Sequence, residues 1–389
     1  MTISETGAYI KAPREFGPEL KPYTAIALQV GSPAIMKREE IKKIIIPHIR
    51  RCVNLAIPGA SFSGYPVRLV CLPEAALQGW RAEFKLGNTK FCQDMAVEVP
   101  GEETDLLGDH ICKKHNIYLI GTIKTLEPDI VKDRYFNTAF IINPEGKVIL
   151  KQFKLNIANA ERTTTPHDVW DKFVAKYGDG PDALFPVVDT DIGRLGCTIC
   201  ADGMCPETYR GFAMQGVEVM SHPDFIVPDV SRWGVDRWAL INRARAMDTG
   251  CYLICANGGP EYLRGYSDEP PFNQSGGRSM IVDYRGVILN EFDSCIEGFA
   301  ADTIDVQRLR EYRLNEINTW PSLAMLRTEY YRKLYEKPIY PKNLWVEKES
   351  TFPEMAKVIQ ESRQKLVEQG VWISPEAKGK EVKKKKGRV

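Results

Sequence analysis

Strand-sized apolar runs, separated by helical patterns or hairpin turns, recur along the first three quarters of the chain, and this alternation restricts the fold most. Runs at residues 23–28, 67–72 and 117–122 predict the first three strands, and apolar positions at helical spacing predict a helix over residues 38–56. Parallel βα steps are mixed with antiparallel hairpins, which favours two sheets covered by helices over one doubly wound sheet. The predicted fold class is therefore α/β, a four-layer αββα sandwich.

The same patterns predict the remaining elements. Further strands are expected at residues 136–142, 148–153, 187–189, 194–199, 217–221, 252–256, 277–283, 286–291 and 300–304. Further helices are expected at residues 103–114, 206–215, 233–249 and 354–368, with another beginning at Val306.

A length of 389 residues suits one large domain with appended segments. We divide the chain into an N-terminal arm (1–22), a main domain (23–311), an extension rich in Trp, Tyr and Pro (312–375) and a basic tail (376–389). The tail has almost nothing apolar to bury and is expected to be disordered. The extension could pack on its own domain or lie at a subunit interface.

Charge and segment composition exclude several function classes. The formal net charge of +1 gives no bulk attraction to nucleic acid or to an anionic membrane. The N-terminus lacks the pattern of a signal peptide, and no apolar run approaches the roughly 18 residues that span a bilayer. The chain is expected to be soluble and cytoplasmic, with its ten cysteines reduced.

Three side chains with catalytic chemistry follow predicted strands, where an α/β scaffold usually presents functional groups. Glu74 follows the strand at 67–72, and a carboxylate beside apolar walls suits a general base. Lys154 follows the strand at 148–153, and its charge could hold a developing oxyanion. Taken singly, each also fits a solvated surface residue.

Cys200 directly follows the strand predicted at 194–199 and comes shortly before the helix predicted at 206–215. A strand-to-helix turn exposes a nucleophile, backbone N–H groups behind it can form an oxyanion hole, and a helix N-terminus favours the thiolate. A buried structural cysteine is the other interpretation of this position.

Together these segments resemble the nitrilase superfamily, the Glu-Lys-Cys carbon–nitrogen hydrolases, over roughly residues 23–304. The matching strings occur in the family's order: LPEAAL around Glu74, YFNT and NPEG at 135–146, KQFK ending at Lys154, ICADGMCPETYRGFAMQGVEVM from Ile199, and later RARAMDTGCY and SGGRSMIVD. The resemblance implies a nitrilase-type sandwich followed by a C-terminal extension.

The resemblance also implies a mechanism. Cys200 would attack the substrate carbon, Glu74 would transfer protons, and Lys154 with the Ala201 N–H would form the oxyanion hole. Glu161, seven residues after Lys154, is the candidate for the family's second glutamate, although a salt bridge to Arg162 would also explain it. No metal or organic cofactor is implied.

Subunits of this family pair through helices beside the cysteine block. That resemblance implies a homo-oligomer, a dimer or a dimer-based assembly, which would use residues 206–215 and part of 233–249. The segment 162–186 is longer than the family's usual link to the cysteine strand. We expect it to shape or cover the substrate pocket, so specificity does not transfer from relatives.

The family branch depends on the residues around Cys200 and Lys154. An Asp two places after the cysteine, here Asp202, resembles the amidase and carbamoyl-amide branches, whereas the string KLNIANAER leans toward nitrilases. Hydrolysis of a small amide to a carboxylic acid and ammonia, through a thioester, is favoured. The alternatives are nitrile hydrolysis and N-carbamoyl amide hydrolysis, for which Arg194, Arg232 and Arg237 are available to clamp a carboxylate.

Two further interpretations concern the wall of the substrate pocket and a possible metal site. Asp202 and His222 are candidates for the wall of the substrate pocket. A remote alternative is a metal-binding module built from Cys197, Cys200, Cys205 and His222. Strand alternation would place Cys197 and Cys200 on opposite faces, which argues against that module.

Overall fold

The computed structural model describes residues 19–158, 161–228, 236–262, 273–315 and 323–375. The strands found there are β1 (Tyr23–Gln29), β2 (Val67–Cys71), β3 (Tyr118–Leu126), β4 (Tyr135–Ile142), β5 (Val148–Phe153), β6 (Val188–Thr190), β7 (Gly193–Cys197), β8 (Val219–Ser221), β9 (Tyr252–Cys255), β10 (Pro260–Glu261), β11 (Asn273–Gln274), β12 (Ser279–Val282), β13 (Ile288–Phe292) and β14 (Gly298–Ile304).

The helices of the described residues lie between and after these strands. They are α1 (Ile46–Gly59), α2 (Arg81–Lys85), α3 (Asn88–Asp94), α4 (Glu102–Leu107), α5 (Lys113–His115), α6 (Trp170–Tyr177), α7 (Pro181–Leu184), α8 (Pro206–Met214), α9 (Arg237–Thr249), α10 (Val306–Asn315), α11 (Thr328–Arg332) and α12 (Phe352–Glu368). Short π-helical turns precede α1 (Ile41–Ile45) and join α4 to α5 (Gly108–Cys112), so the helices predicted at 38–56 and 103–114 are not uniform.

Two six-stranded sheets form the body of the protein. Their strand orders are β14-β1-β2-β3-β4-β5 and β13-β12-β9-β8-β7-β6. Each sheet has three parallel neighbours at its centre, β1-β2-β3 in one and β7-β8-β9 in the other, with antiparallel strands on both sides. This mixture is the one that the sequence pattern predicts.

Side chains alternate between two cores because successive residues of a strand point to opposite faces. On β1, Ala25 and Ala27 pack between the two sheets, whereas Ile26 and Leu28 pack under the helices that cover the first sheet. Helices α8 and α9 cover the outer face of the second sheet with residues such as Phe212 and Trp238. The layers are helix, sheet, sheet and helix, so the predicted four-layer sandwich is confirmed.

The C-terminal extension packs, in part, on its own chain. The backbone N–H groups of Asn343 and Trp345 donate to the carbonyls of His167 and Asp168, at 3.0 and 3.1 Å. Trp345 is buried as a result. Helix α10 runs across the boundary placed between residues 311 and 312.

Some expectations fall outside the described residues. These are the basic tail at 376–389, residues 1–18 of the N-terminal arm and the start of the helix predicted at 233–249. Among the described residues, no helix has both the length and the apolar character needed to cross a bilayer. All ten cysteines are described, and none forms a disulfide.

Candidate active site

The structure brings Glu74, Lys154 and Cys200 together. Lys154 directly follows β5, while Glu74 and Cys200 each lie three residues after β2 and β7. The Nζ atom of Lys154 lies 2.8 Å from Oε1 of Glu74. One carboxylate oxygen of Glu74, one of Glu161 and the sulfur of Cys200 all lie within 4.8 Å of one another.

Lys154 is fully buried between two carboxylates. Besides Glu74, its ammonium donates to Oε1 of Glu161 at 2.5 Å. Burial disfavours the ammonium, but the charge of Cys200 once its thiol ionises, together with the charges of Glu161 and Glu74, outweighs burial and raises the pKa of Lys154 well above its usual value. The side chain therefore stays cationic, as stabilisation of an oxyanion requires.

Glu74 has one occupied and one available oxygen. Its Oε1 accepts hydrogen bonds from Lys154 and, at 2.6 Å, from the side-chain amide of Asn137. Its Oε2 is buried and has no hydrogen-bond partner in the part of the chain that the structure describes. An unpartnered buried carboxylate oxygen is an acceptor available for a proton. Asn137 was not singled out from the sequence, although it lies in the matching string YFNT.

The backbone of Cys200 is held in an unusual conformation. Its φ of 47° lies in the left-handed region that non-glycine residues rarely adopt, and its N–H donates to the carbonyl of Pro223 at 2.9 Å. Its own carbonyl lies 3.0 Å from Nε2 of the buried His222. His222 thus lies behind the turn and contacts its backbone.

The expected effect of the helix on the Cys200 thiol is not found. Burial raises the pKa of Cys200 well above its usual value, and the charges of Asp224 and Glu74 raise it further, while Lys154 offsets this only in part. Helix α8 begins at Pro206, and a helix dipole acts mainly within its first turn. The cysteine is therefore a thiol at neutral pH and needs a base.

Asp202 connects the lysine segment to the cysteine turn. Its Oδ1 accepts from the backbone N–H groups of Leu155 and Asn156, at 3.1 and 2.8 Å. Its Oδ2 accepts from the N–H of Ile199 at 3.1 Å. Burial raises the pKa of Asp202 to about 6, so the carboxylate is ionised at neutral pH. Its acceptor oxygens are used within the protein.

A cavity of about 930 Å³ is lined by residues that neighbour the cluster along the chain, whereas Glu74, Lys154, Glu161 and Cys200 themselves are not among its lining residues. Leu155 and Ala201, which directly follow Lys154 and Cys200, form part of its wall. The segment 162–186, which was expected to shape the pocket, contributes residues 165–168, 170, 184 and 185. Asp202 and His222, the two candidates from the sequence, are both buried and, like the cluster residues, are not among the residues that line this cavity.

The arginines that could clamp a substrate carboxylate do not share one environment. Arg237 is exposed and lines the cavity, whereas Arg194 pairs with Asp189 at 2.8 Å, and Arg232 falls outside the described residues. The metal module, a remote alternative from the sequence, is not formed, because Cys197, Cys200, Cys205 and His222 do not converge as ligands. Cys197 is instead buried between the sheets.

A second buried ion pair lies next to Glu161. Lys124 Nζ lies 3.3 Å from Oε2 of Glu83, and both side chains are buried. Oε1 of Glu83 accepts from the N–H of Arg162 at 3.0 Å and from Oγ1 of Thr163 at 3.4 Å. The pair therefore fixes the turn that follows Glu161. Glu83 and Thr163 are 80 positions apart, so no local pattern marks these contacts.

Comparison with known proteins gives a consistent result. The sequence profile described as carbon–nitrogen hydrolase matches residues 45–314. A formamidase of Bacillus cereus (strain B4264) is 32% identical over 234 residues, which is 59% of this chain and 60% of that protein. A formamidase of Bacillus anthracis (strain CDC 684 / NRRL 3495) matches equally. The match thus spans less than two thirds of the length of these relatives.

Solved structures share the fold at low sequence identity. A carbon–nitrogen hydrolase from Helicobacter pylori G27 superposes with a TM-score of 0.59 at 20% identity, covering 81% of this chain and 99% of that one. An amidase from Nesterenkonia sp. gives a TM-score of 0.55 at 18% identity, covering 80% and 96%. These similarities show the nitrilase-type sandwich.

Proposed function

The chain belongs to the carbon–nitrogen hydrolase family, and from this premise we propose that it hydrolyses a carboxamide to a carboxylic acid and ammonia through a thioester on Cys200. One observation carries the proposal. The Lys154 ammonium contacts the carboxylates of Glu74 and Glu161 within a buried cluster that also holds the Cys200 sulfur.

The first half of the reaction forms the thioester. Oε2 of Glu74, which has no partner among the described residues, takes the thiol proton as the sulfur attacks the amide carbon. The negative charge that develops on the carbonyl oxygen is held by Lys154 and the Ala201 N–H. Glu74 then gives its proton to the amide nitrogen, the carbon–nitrogen bond breaks, and ammonia leaves.

The second half releases the acid. Glu74 takes a proton from water as the water oxygen attacks the thioester carbon. The tetrahedral intermediate expels the Cys200 sulfur, which regains its proton from Glu74. Glu161 holds Lys154 in place through the 2.5 Å contact. Its buried Oε2, also unpartnered in the described segments, positions the amide N–H or the attacking water.

Amide hydrolysis is preferred over the two alternatives because two relatives are formamidases and a solved neighbour is an amidase. Arg237 on the cavity wall would suit the carboxylate of an N-carbamoyl amino acid. The spacing of Lys154 and Glu161 would suit a nitrilase. These remain second candidates that the same assay separates.

The test is ammonia release from short amides, N-carbamoyl amino acids and nitriles, by the wild type, by Cys200→Ala and by Cys52→Ser. Cys52 is another half-buried cysteine, on α1, and provides a matched control. We expect activity on amides that Cys200→Ala loses and Cys52→Ser keeps. Activity on nitriles or N-carbamoyl compounds alone would refute amides as the substrate class and put that class in their place. Activity that survives Cys200→Ala would refute Cys200 as the nucleophile.

A further inference from the structure

The cavity whose wall includes Leu155 and Ala201, the residues that directly follow Lys154 and Cys200, is far larger than a small amide requires. Its volume of about 930 Å³ lies at the upper end of the roughly 300–1,000 Å³ that ligand pockets occupy. Formamide has no carbon substituent and would leave almost all of it empty. Because Leu155 and Ala201 belong to its wall, a group attached to the carbon that Cys200 attacks could extend into it.

The wall of the cavity is largely apolar and comes from two parts of the chain. Trp170 and Phe185 belong to the long segment before the cysteine strand. Tyr340, Met355 and Ile359 belong to the C-terminal extension, and the last two lie one turn apart on α12. The same wall would not form in a chain that ended at α10.

The extension is attached firmly enough to act as a wall. Ser350 donates from its hydroxyl to the carbonyl of Arg162 at 3.0 Å, next to Glu161. Oε2 of Glu349 accepts from the N–H of Asn88 at 2.9 Å, and Met355 is only 3% exposed. These contacts add to the hydrogen bonds from Asn343 and Trp345.

Most charged groups on the wall already have partners. Asp168 accepts from the N–H and the hydroxyl of Thr165, at 2.9 and 2.8 Å. Glu207 accepts from the hydroxyl of Tyr335 at 3.0 Å. Arg237 lies at the exposed side of the cavity. An uncharged apolar group therefore fits the interior better than a charged one.

We propose that this cavity binds the acyl group of the substrate, and that the C-terminal extension makes the enzyme selective for amides whose acyl group is a long aliphatic chain or an aromatic ring. The inference rests on the proposed amidase activity and names the substrate class of that activity. It sets this chain apart from an enzyme adapted to formamide.

A chain-length series of unbranched amides from acetamide to octanamide tests the proposal. Each methylene that enters an apolar cavity should raise kcat/KM about threefold to fourfold, until the chain fills the cavity. Ile359→Trp should shorten the chain length at which kcat/KM stops rising and lower kcat/KM for octanamide at least tenfold. It should lower kcat/KM for acetamide by a much smaller factor, and circular dichroism should show that the variant is folded.

Ala356→Trp provides the matched control, because Ala356 lies on the same helix, is exposed and does not line the cavity. It should reproduce the wild-type series. A flat wild-type series, or an Ile359→Trp variant whose series matches the wild type, would overturn the proposal. An equal loss for acetamide and octanamide would also overturn it.

Binding separates this proposal from the proposed function. Calorimetry on Cys200→Ala protein, which cannot form the thioester, should show octanamide binding at least tenfold more tightly than acetamide, with Ile359→Trp removing the difference. If wild-type protein hydrolyses no amide, the proposed function fails, while the binding difference still decides whether the cavity takes an apolar chain. If the protein hydrolyses amides but binds octanamide and acetamide equally well, the proposed function stands, and the proposal that the cavity binds the acyl group is overturned.

Discussion

Asp202 accepts two hydrogen bonds from Asn156, one from its backbone N–H at 2.8 Å and one from its side-chain amide at 3.0 Å. Asn156 lies two residues after Lys154, and Asp202 lies two residues after Cys200. One buried carboxylate thus fixes the position of the oxyanion-binding lysine relative to the nucleophile, although the two segments are 46 residues apart.

Replacing this carboxylate should impair both stability and catalysis. In Asp202→Asn an NH₂ group takes the place of one oxygen, so at least one buried N–H of Leu155, Asn156 or Ile199 faces a donor. We expect the free energy of unfolding at pH 7.5 to fall by about 1–3 kcal/mol, and kcat to fall more than KM rises. Urea unfolding and steady-state kinetics measure these quantities. The control is Asp109→Asn, which removes an exposed helical ion pair and should change neither the free energy of unfolding nor kcat. An unchanged kcat in Asp202→Asn would contradict the positioning role of Asp202.

Neutralising Glu161 should slow the reaction without unfolding the protein. Glu161→Gln removes one of the two carboxylate charges that hold Lys154. Complete loss of an oxyanion-hole donor costs about 10²-fold to 10³-fold in kcat, and we expect a misplaced Lys154 to cost up to that amount. The pKa of Lys154 should also fall, so the alkaline limb of the pH–kcat profile should move to lower pH. The control is Glu127→Gln, which removes the partner of the neighbouring Lys151 at 2.5 Å. If both variants gave the same profile, Glu161 would have no special role.

Asp168 should make stability depend on pH. Burial raises its pKa from the ordinary 3.8 to about 6, so the folded chain binds this proton more tightly than the unfolded chain. The carboxyl therefore favours folding below about pH 4, and this contribution is lost as the pH rises through about 6. Asparagine can still accept from Thr165 but does not titrate.

The matching measurement is urea unfolding of the wild type and Asp168→Asn between pH 4 and pH 7. From pH 4 to pH 7 the free energy of unfolding of the wild type should fall by up to about 3 kcal/mol relative to that of the variant. Other acidic groups titrate in both proteins and cancel in the difference. Parallel stability curves would show that Asp168 has an ordinary pKa in the folded state.

We propose that the subunits pair through helices α8 and α9, which carry the exposed Met214, Leu240 and Met247 at 56%, 57% and 41% exposure. Light scattering should give at least twice the 44.0 kDa of the chain. Leu240→Asp should yield a monomer because it places a charge in an apolar contact. Leu314→Asp, at another exposed helical leucine, should not. A wild-type mass of one chain would refute the pairing.

The sequence was most informative where chemistry and local pattern coincide. Glu74, Lys154 and Cys200 each follow a strand and sit in a matching string, so they could be singled out before their proximity was known. The pair of Glu83 with Lys124 could not, because only tertiary packing brings a residue of α2 and a residue of β3 to the cluster. Asn137 lies in a matching string on β4, but nothing in that string marks its contact with Glu74. No periodicity marks such contacts.

Burial explains the expectations that did not hold. The pKa of Cys200 is raised, not lowered, because apolar packing and the carboxylates of Asp224 and Glu74 surround a sulfur that lies outside the first turn of α8. Asp202 and His222 follow strands as catalytic residues do, yet both are turned inward. Which way a loop side chain points depends on tertiary packing.

The central claim is that Cys200 carries the acyl group during turnover. Acid quenching during hydrolysis of an amide, followed by mass spectrometry of the intact protein and its peptides, tests it most directly. We predict a species in which the acyl group replaces one hydrogen, located on the peptide that contains Cys200, removed by hydroxylamine and absent from Cys200→Ala. An acyl group on any other residue, or ammonia release that continues in Cys200→Ala, would contradict the account.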